Sequence, residues 1–210
     1  MAACLISAIT LTVTGASSGF GRAVTEVVLQ HGEIAVATLR SPSDLAILQE
    51  SHGPDQLLVV KCDVTIPSDI KAAFQLTTER FGRCDVVFNN AGYAVVAEIE
   101  GTPDDAVRAM FEVNFWGATN VSREAVRVFR ELNPKSSGGL LLNVSSNAGP
   151  VPSPAVGYYA ARCVCRERLV RRRLILQCLI VNMVCGLRYL ELASDIEKLL
   201  KDSLKVSRRS

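Results

Sequence analysis

Nothing in this sequence is built to cross a membrane, hold a metal ion or grip nucleic acid. The apolar run from Leu174 to Leu187 is broken by Gln177 and Asn182 and falls short of the roughly 20 residues that a bilayer requires. Cys163, Cys165, Cys178 and Cys185 crowd together, but without the paired C-x-x-C spacing of a thiolate zinc site, so no metal is expected. The arginines from Arg166 to Arg173 have no aromatic residues among them and read as a solvated face or a disordered arm. The N-terminus lacks the positive region of a secretion signal and leads straight into a glycine turn, so a first strand is expected there. Cys4, Cys62 and Cys84 are scattered, as in a reducing compartment, and a cytoplasmic location follows.

The chain has 210 residues, 49% of them hydrophobic and 21% charged. That suits one globular domain with a sizeable core. The net charge of +2 hides a break: residues 1–161 carry 11 Lys and Arg against 16 Asp and Glu, and residues 162–210 carry 12 against 5. An acidic body thus gives way to a basic tail, which marks a boundary or a foreign segment.

The organising stretch is Thr14-Gly15-Ala16-Ser17-Ser18-Gly19-Phe20-Gly21, set between an apolar run and a helical pattern. A strand that ends in such a turn and resumes as a helix offers free backbone N–H groups and the positive end of a helix dipole, which suits phosphate. Gly15 allows the turn, Gly19 lets a pyrophosphate approach, and Gly21 lets helix and strand pack closely. Taken alone, this G-x-x-x-G-x-G spacing also fits an ordinary loop. Further apolar runs at 34–39, 57–61, 86–88 and 140–144 alternate with helical patterns. Strands that are apolar throughout predict an α/β fold, a Rossmann-like doubly wound parallel sheet with helices on both faces. Ligands of such sheets lie beyond the carboxyl ends of the strands, where the polar residues of this chain fall.

Those residues carry a resemblance. Thr14-Gly15-x-x-x-Gly19-x-Gly21, Asp63-Val64, Asn89-Asn90-Ala91-Gly92, Asn114, Asn143-Val-Ser-Ser146 and Tyr159 occur in the order found in the short-chain dehydrogenase/reductase family, over about residues 1–161. The resemblance implies an NAD(P)-binding Rossmann-fold domain there and an oxidoreductase acting on a small-molecule carbonyl or secondary alcohol. It implies that Gly15, Ser17, Ser18, Gly19, Phe20 and Gly21 hold the pyrophosphate, that Asp63 and Val64 contact adenine, and that Asn90, Ala91 and Gly92 line the cofactor. Leu39 stands where NAD-preferring members often carry Asp, and Arg40 follows, so NADP is expected over NAD. Ser146 would hold the substrate oxygen, Tyr159 would move its proton and Asn114 would order a water relay. Ser145 with Tyr158 has the same separation, and Gly149, three residues after Ser146, selects the second register. The family commonly pairs through the helices after its fourth and fifth strands, which implies a homo-oligomer.

The resemblance stops at one point. Four residues after its tyrosine the family carries lysine, which lowers the phenol pKa and bonds the nicotinamide ribose; here Cys163 stands there. Arg162 is expected to be turned about 100° away from that face of the helix. Beyond it, residues 162–210 read as a divergent basic tail that lacks the last family strands, with Val181-Asn182 and Gly186 a chance echo of the sixth. Tyr189 to Val206 has the spacing of an amphipathic helix. The expectation is therefore an enzyme impaired by Cys163. The alternative is an inactive nucleotide-binding or interaction protein, from a truncated or mis-spliced message.

Overall fold

In the computed structural model, which describes residues 8–135, 137–151, 153–170 and 178–185, the apolar runs become strands because both of their faces are covered. β1 (Thr10–Thr14), β2 (Ile34–Leu39), β3 (Leu57–Lys61), β4 (Val86–Asn89) and β5 (Gly139–Ser146) are joined by helices. These are α1 (Gly19–Gln30), α2 (Ala46–Ser51), α3 (Pro67–Phe81), α4 (Asp104–Phe111) and α5 (Ala118–Glu131). A short 3-10 turn, Pro42–Leu45, opens α2. α6 (Gly157–Val170) follows β5 and runs without a break through the charge boundary at Arg162.

All pairings in the sheet are parallel, and the strand order is β3-β2-β1-β4-β5 with one more strand beyond β5. That further strand, β6 (Cys178–Cys185), corrects the expectation that Val181-Asn182 is a chance echo. Its backbone pairs with β5 along its whole length, from Gly139 opposite Cys178 to Ser146 opposite Cys185. Parallel pairing needs only an extended backbone beside the edge of β5, so the absent proline does not prevent it. The stretch expected to be an amphipathic helix, 189–206, lies outside the described residues.

Alternation along each strand builds two cores. Leu11, Val13, Ala35, Ala37, Val86, Phe88, Leu140 and Leu142 face α1, whose Val24, Val28 and Leu29 are buried against them. Val36, Val87 and Leu141 point the other way, onto Ile70 and Phe74 of α3 and Val121, Ala125 and Phe129 of α5. These helical residues recur at three- and four-residue spacing, the stripe that a helix presents to a sheet. Burying a side chain such as Phe74 contributes about 1.5–3 kcal/mol. α3 begins with Pro67 and stops at Gly82, whose φ of 73° few other residues adopt.

Strand order reverses between β1 and β4, both of which pair with neighbours leading outward. The connections after them leave on opposite faces, so a crevice opens at their carboxyl ends. The residues expected to form the site sit around that crevice or on the elements that frame it.

Candidate active site

The glycine turn is shaped by close packing on one side and by open space on the other. A Cβ at Gly21 would lie 2.2 Å from the Gly15 carbonyl oxygen, and one at Gly15 would lie 3.0 Å from the Ala91 Cα. A Cβ at Gly19, where φ is 54°, would meet nothing within 4 Å. Ser18 caps α1 through its backbone alone and is exposed. The N-terminus of this 12-residue helix thus has open space beside Gly19, an arrangement that can take a phosphate. Ser17 and Phe20 flank it, half-buried.

The turn is fastened to the end of β4 by Thr14, whose role the sequence alone did not reveal. The Thr14 hydroxyl accepts from the backbone N–H of Asn90 at 2.9 Å and of Ala91 at 3.0 Å. In return the Asn90 amide donates to the Thr14 carbonyl at 3.0 Å. Deeper in the sheet the Asn89 amide donates to Ala118 O and to the Asn143 side chain, at 2.8 and 2.9 Å. These bonds fix the 90–92 turn against β1 from beneath. Thr14, Asn89 and Asn143 lie within the family motifs, and their fixed order with the glycine turn was the available signal.

Asn114 lies in a π-helical turn, Glu112–Gly117, between α4 and α5. Such turns occur often at functional sites. Its fully buried amide donates to the Tyr93 carbonyl at 2.6 Å and accepts from the Tyr93 N–H at 3.0 Å. Gly92 lies beneath it, since a Cβ there would come 2.8 Å from the Asn114 Oδ1. Asn114 thus straps the 90–93 segment to the helix layer. The loop that follows is tied to the opposite side of the crevice by Ala97 N–H donating to Ala155 O at 2.8 Å.

Asp63 and Arg40 stand at the ends of β3 and β2. Asp63 is half-buried, and its Oδ1 accepts from the Thr65 backbone N–H at 2.9 Å and from the Thr65 hydroxyl at 2.8 Å. The backbone bond is the main cause that holds this carboxyl below its ordinary value, with the Thr65 hydroxyl and the Arg40 charge adding to it against partial desolvation. Arg40 is exposed, and Val64 is buried beside Gly117.

The proposed proton-transfer residues come from β5 and α6. The Ser146 hydroxyl accepts from Ala148 N–H at 3.3 Å and donates to Asn147 Oδ1 at the same distance. Ser146 makes no hydrogen bond to Tyr159. Tyr158 lines a groove of about 430 Å³ with Phe111, Trp116 and Val107 on the outer face of α4 and the π turn. Tyr159, the next residue, is turned about 100° from it on the helix. Its ring carries the Arg162 guanidinium, with the central carbon 4.0 Å from the ring centroid. That contact changes the reading of Arg162: residues three apart on a helix are neighbours, so Arg162 reaches the ring face although it does not occupy position 163. Cys163 is fully buried. Among the described residues no group of His, Cys, Asp or Glu could hold a metal, and no helix is long and apolar enough to cross a membrane.

The family model described as short chain dehydrogenase matches residues 10–164. An uncharacterised oxidoreductase of Schizosaccharomyces pombe is 38% identical over 152 residues, which are 72% of this chain and 49% of that protein. A 3-ketodihydrosphingosine reductase of Bacteroides thetaiotaomicron is 32% identical over 151 residues, 72% of this chain and 52% of the relative. A solved short-chain dehydrogenase from Streptomyces avermitilis superposes with a TM-score of 0.78 at 30% identity, covering 86% of this chain and 66% of the other. The chain spans about half the length of the curated relatives it matches. Since the family match runs from β1 into α6, through the same turns and strand ends that frame the crevice, this chain belongs to the short-chain dehydrogenase family.

Proposed function

We propose that this chain is an NADP(H)-dependent oxidoreductase acting on a carbonyl or secondary alcohol, with proton transfer weakened by Cys163. The observation that carries the reading is the turn at Gly15 to Gly21, closed beneath by the Gly21–Gly15 contact and open at Gly19. Gly15, Ser17, Ser18, Gly19, Phe20 and Gly21 would hold the pyrophosphate, Asp63 and Val64 the adenine, and Asn90, Ala91 and Gly92 the middle of the cofactor. Arg40 would take the 2′-phosphate, because an exposed guanidinium at the end of β2 can meet it with two parallel hydrogen bonds. When bound, the nicotinamide ring supplies or accepts the hydride. Ser146 would donate a hydrogen bond to the substrate oxygen, Tyr159 would give that oxygen its proton in reduction or take it in oxidation, and Asn114 would order a water behind them.

Residues 1–161 would form the cofactor-binding unit, with residues 162–210 a divergent basic extension. The relative that reduces a ketone, by its name, supports a carbonyl substrate. Trp116, 53% exposed, and the groove it shares with Tyr158 are where a second copy would pair, and a cytoplasmic setting fits the buried thiols Cys62 and Cys84. The second reading, an inactive nucleotide-binding protein, rests on Cys163 alone. Turnover of NADPH with a panel of small ketones and aldehydes separates the two. The account expects slow turnover that Tyr159→Phe abolishes and Cys163→Lys raises; tight NADPH binding with no turnover in either protein would favour the second.

A further inference from the structure

Exposed apolar side chains are ordinary when they are scattered singly over a surface. Here they gather at one place. Of the ten exposed large hydrophobic side chains among the described residues, four, Tyr93, Val96, Ile99 and Val151, lie on the two segments that leave the carboxyl ends of β4 and β5. Those strands are paired, so the segments start side by side. Further out the Ala97 N–H donates to the Ala155 carbonyl at 2.8 Å, and a Cβ at Gly157 would lie 3.0 Å from the Ile99 Cδ1. Ala155 accepts that bond with a φ of 58°, a left-handed conformation that alanine seldom adopts. The two segments thus form one rim beside the crevice, held together at a cost in backbone strain.

The rim is also uncharged. Residues 90–97 and 143–161 contain no Asp, Glu, Lys, Arg or His, and the next charged residues after Ala97 are Glu98, Glu100, Asp104 and Asp105, all acidic and all exposed. Arg162, the first cation beyond the second segment, is buried against the Tyr159 ring. A substrate carboxylate or phosphate would lose water here without gaining a cation, and an ion desolvated without a partner is strongly disfavoured. An alkyl or ring body gains with every methylene it buries.

We propose that the substrate is an uncharged carbonyl compound with an apolar body, and that Tyr93, Val96 and Val151 select it. This inference rests on the carbonyl reading above and narrows it. The reacting oxygen meets Ser146 and Tyr159, while the body lies along the rim; a few polar groups beside an apolar wall is the usual composition of a small-molecule site. Anionic carbonyl compounds are rejected by the same wall.

Calorimetric titration of the full chain, saturated with NADP so that a ketone binds without turnover, tests this with 2-butanone, 2-octanone and 7-oxooctanoate. The last is 2-octanone with its terminal methyl replaced by a carboxylate. 2-Octanone should bind roughly tenfold more tightly than 2-butanone, as half-burial of four added methylenes gives, and at least tenfold more tightly than 7-oxooctanoate. Val96→Lys and Val151→Lys, both at exposed positions, should weaken 2-octanone and strengthen 7-oxooctanoate with NADP affinity unchanged. Equal binding of 2-octanone and 7-oxooctanoate, or no gain over 2-butanone, overturns the proposal and leaves the carbonyl reading standing. Retention of the full preference for 2-octanone in both lysine variants overturns the role of these residues. A chain that binds NADP and none of the three ketones overturns both the proposal and the carbonyl reading.

Discussion

The side chain of Asn114 and the backbone of Tyr93 hold each other by two hydrogen bonds, one in each direction, at 2.6 and 3.0 Å. Asn114→Leu leaves both backbone groups of Tyr93 without their partner, which costs about 1–3 kcal/mol. Urea denaturation should show that loss together with weaker NADPH binding, because the 90–92 turn loosens. A variant as stable as the parent would show that the strap is idle.

Gly19 and Gly21 should separate binding from stability. At Gly19 a methyl group meets nothing, so Gly19→Ala costs only the left-handed backbone, about 1–2 kcal/mol, yet it sits where a phosphate must approach. At Gly21 the same methyl would lie 2.2 Å from a carbonyl oxygen, and overpacking adds about 1–3 kcal/mol of damage to the turn itself. Thermal melts and NADPH titrations should find Gly19→Ala folded and nearly non-binding, and Gly21→Ala impaired in both. Unchanged NADPH affinity in Gly19→Ala would remove the phosphate from this turn.

How far the sequence alone reached can be judged from particular elements. The first five strands were legible because each is an apolar run closed by a polar turn, and the six motifs fixed their order. The sixth was not, because its backbone pairing with β5 leaves no mark in side-chain pattern beyond a short apolar run that a buried helix shares. Asn114 was legible as a site residue but not as a strap, since its partner is a backbone 21 residues away. The Arg162 contact was missed by asking which residue replaces the lysine, four places on. A ring face can be reached from three.

The carboxyl of Asp63 is held below its ordinary value of 3.8, first by the Thr65 backbone bond. A group whose pKa is lowered on folding stabilises the fold at all pH above its unfolded value, and that contribution disappears as pH falls through the folded value. Asp63→Asn should therefore be less stable than the parent at neutral pH, and the two should converge below about pH 3.8. Parallel stability curves across that range would contradict the assignment.

Cys62 and Cys84 are both buried, and burial is the main reason that each thiol is pushed up to about 12. Both stay protonated under ordinary labelling conditions, and the thiolate is the reactive form. Iodoacetamide at pH 8 should modify the exposed Cys165 in the folded chain and leave these two untouched until denaturant is added. Peptide mapping that finds Cys84 alkylated as fast as Cys165 would show that the core around β4 opens.

The account stands or falls on the crevice holding NADP, and the direct measurement is a titration of the purified chain with NADPH and with NADH, repeated on Arg40→Ala. A charge-assisted contact to the 2′-phosphate is worth about 1.5–3 kcal/mol, so NADPH should bind at least tenfold more tightly than NADH, and the substitution should erase that difference while sparing NADH. Equal affinity for the two cofactors in the parent chain, or no binding by a chain that melts cooperatively, would contradict it.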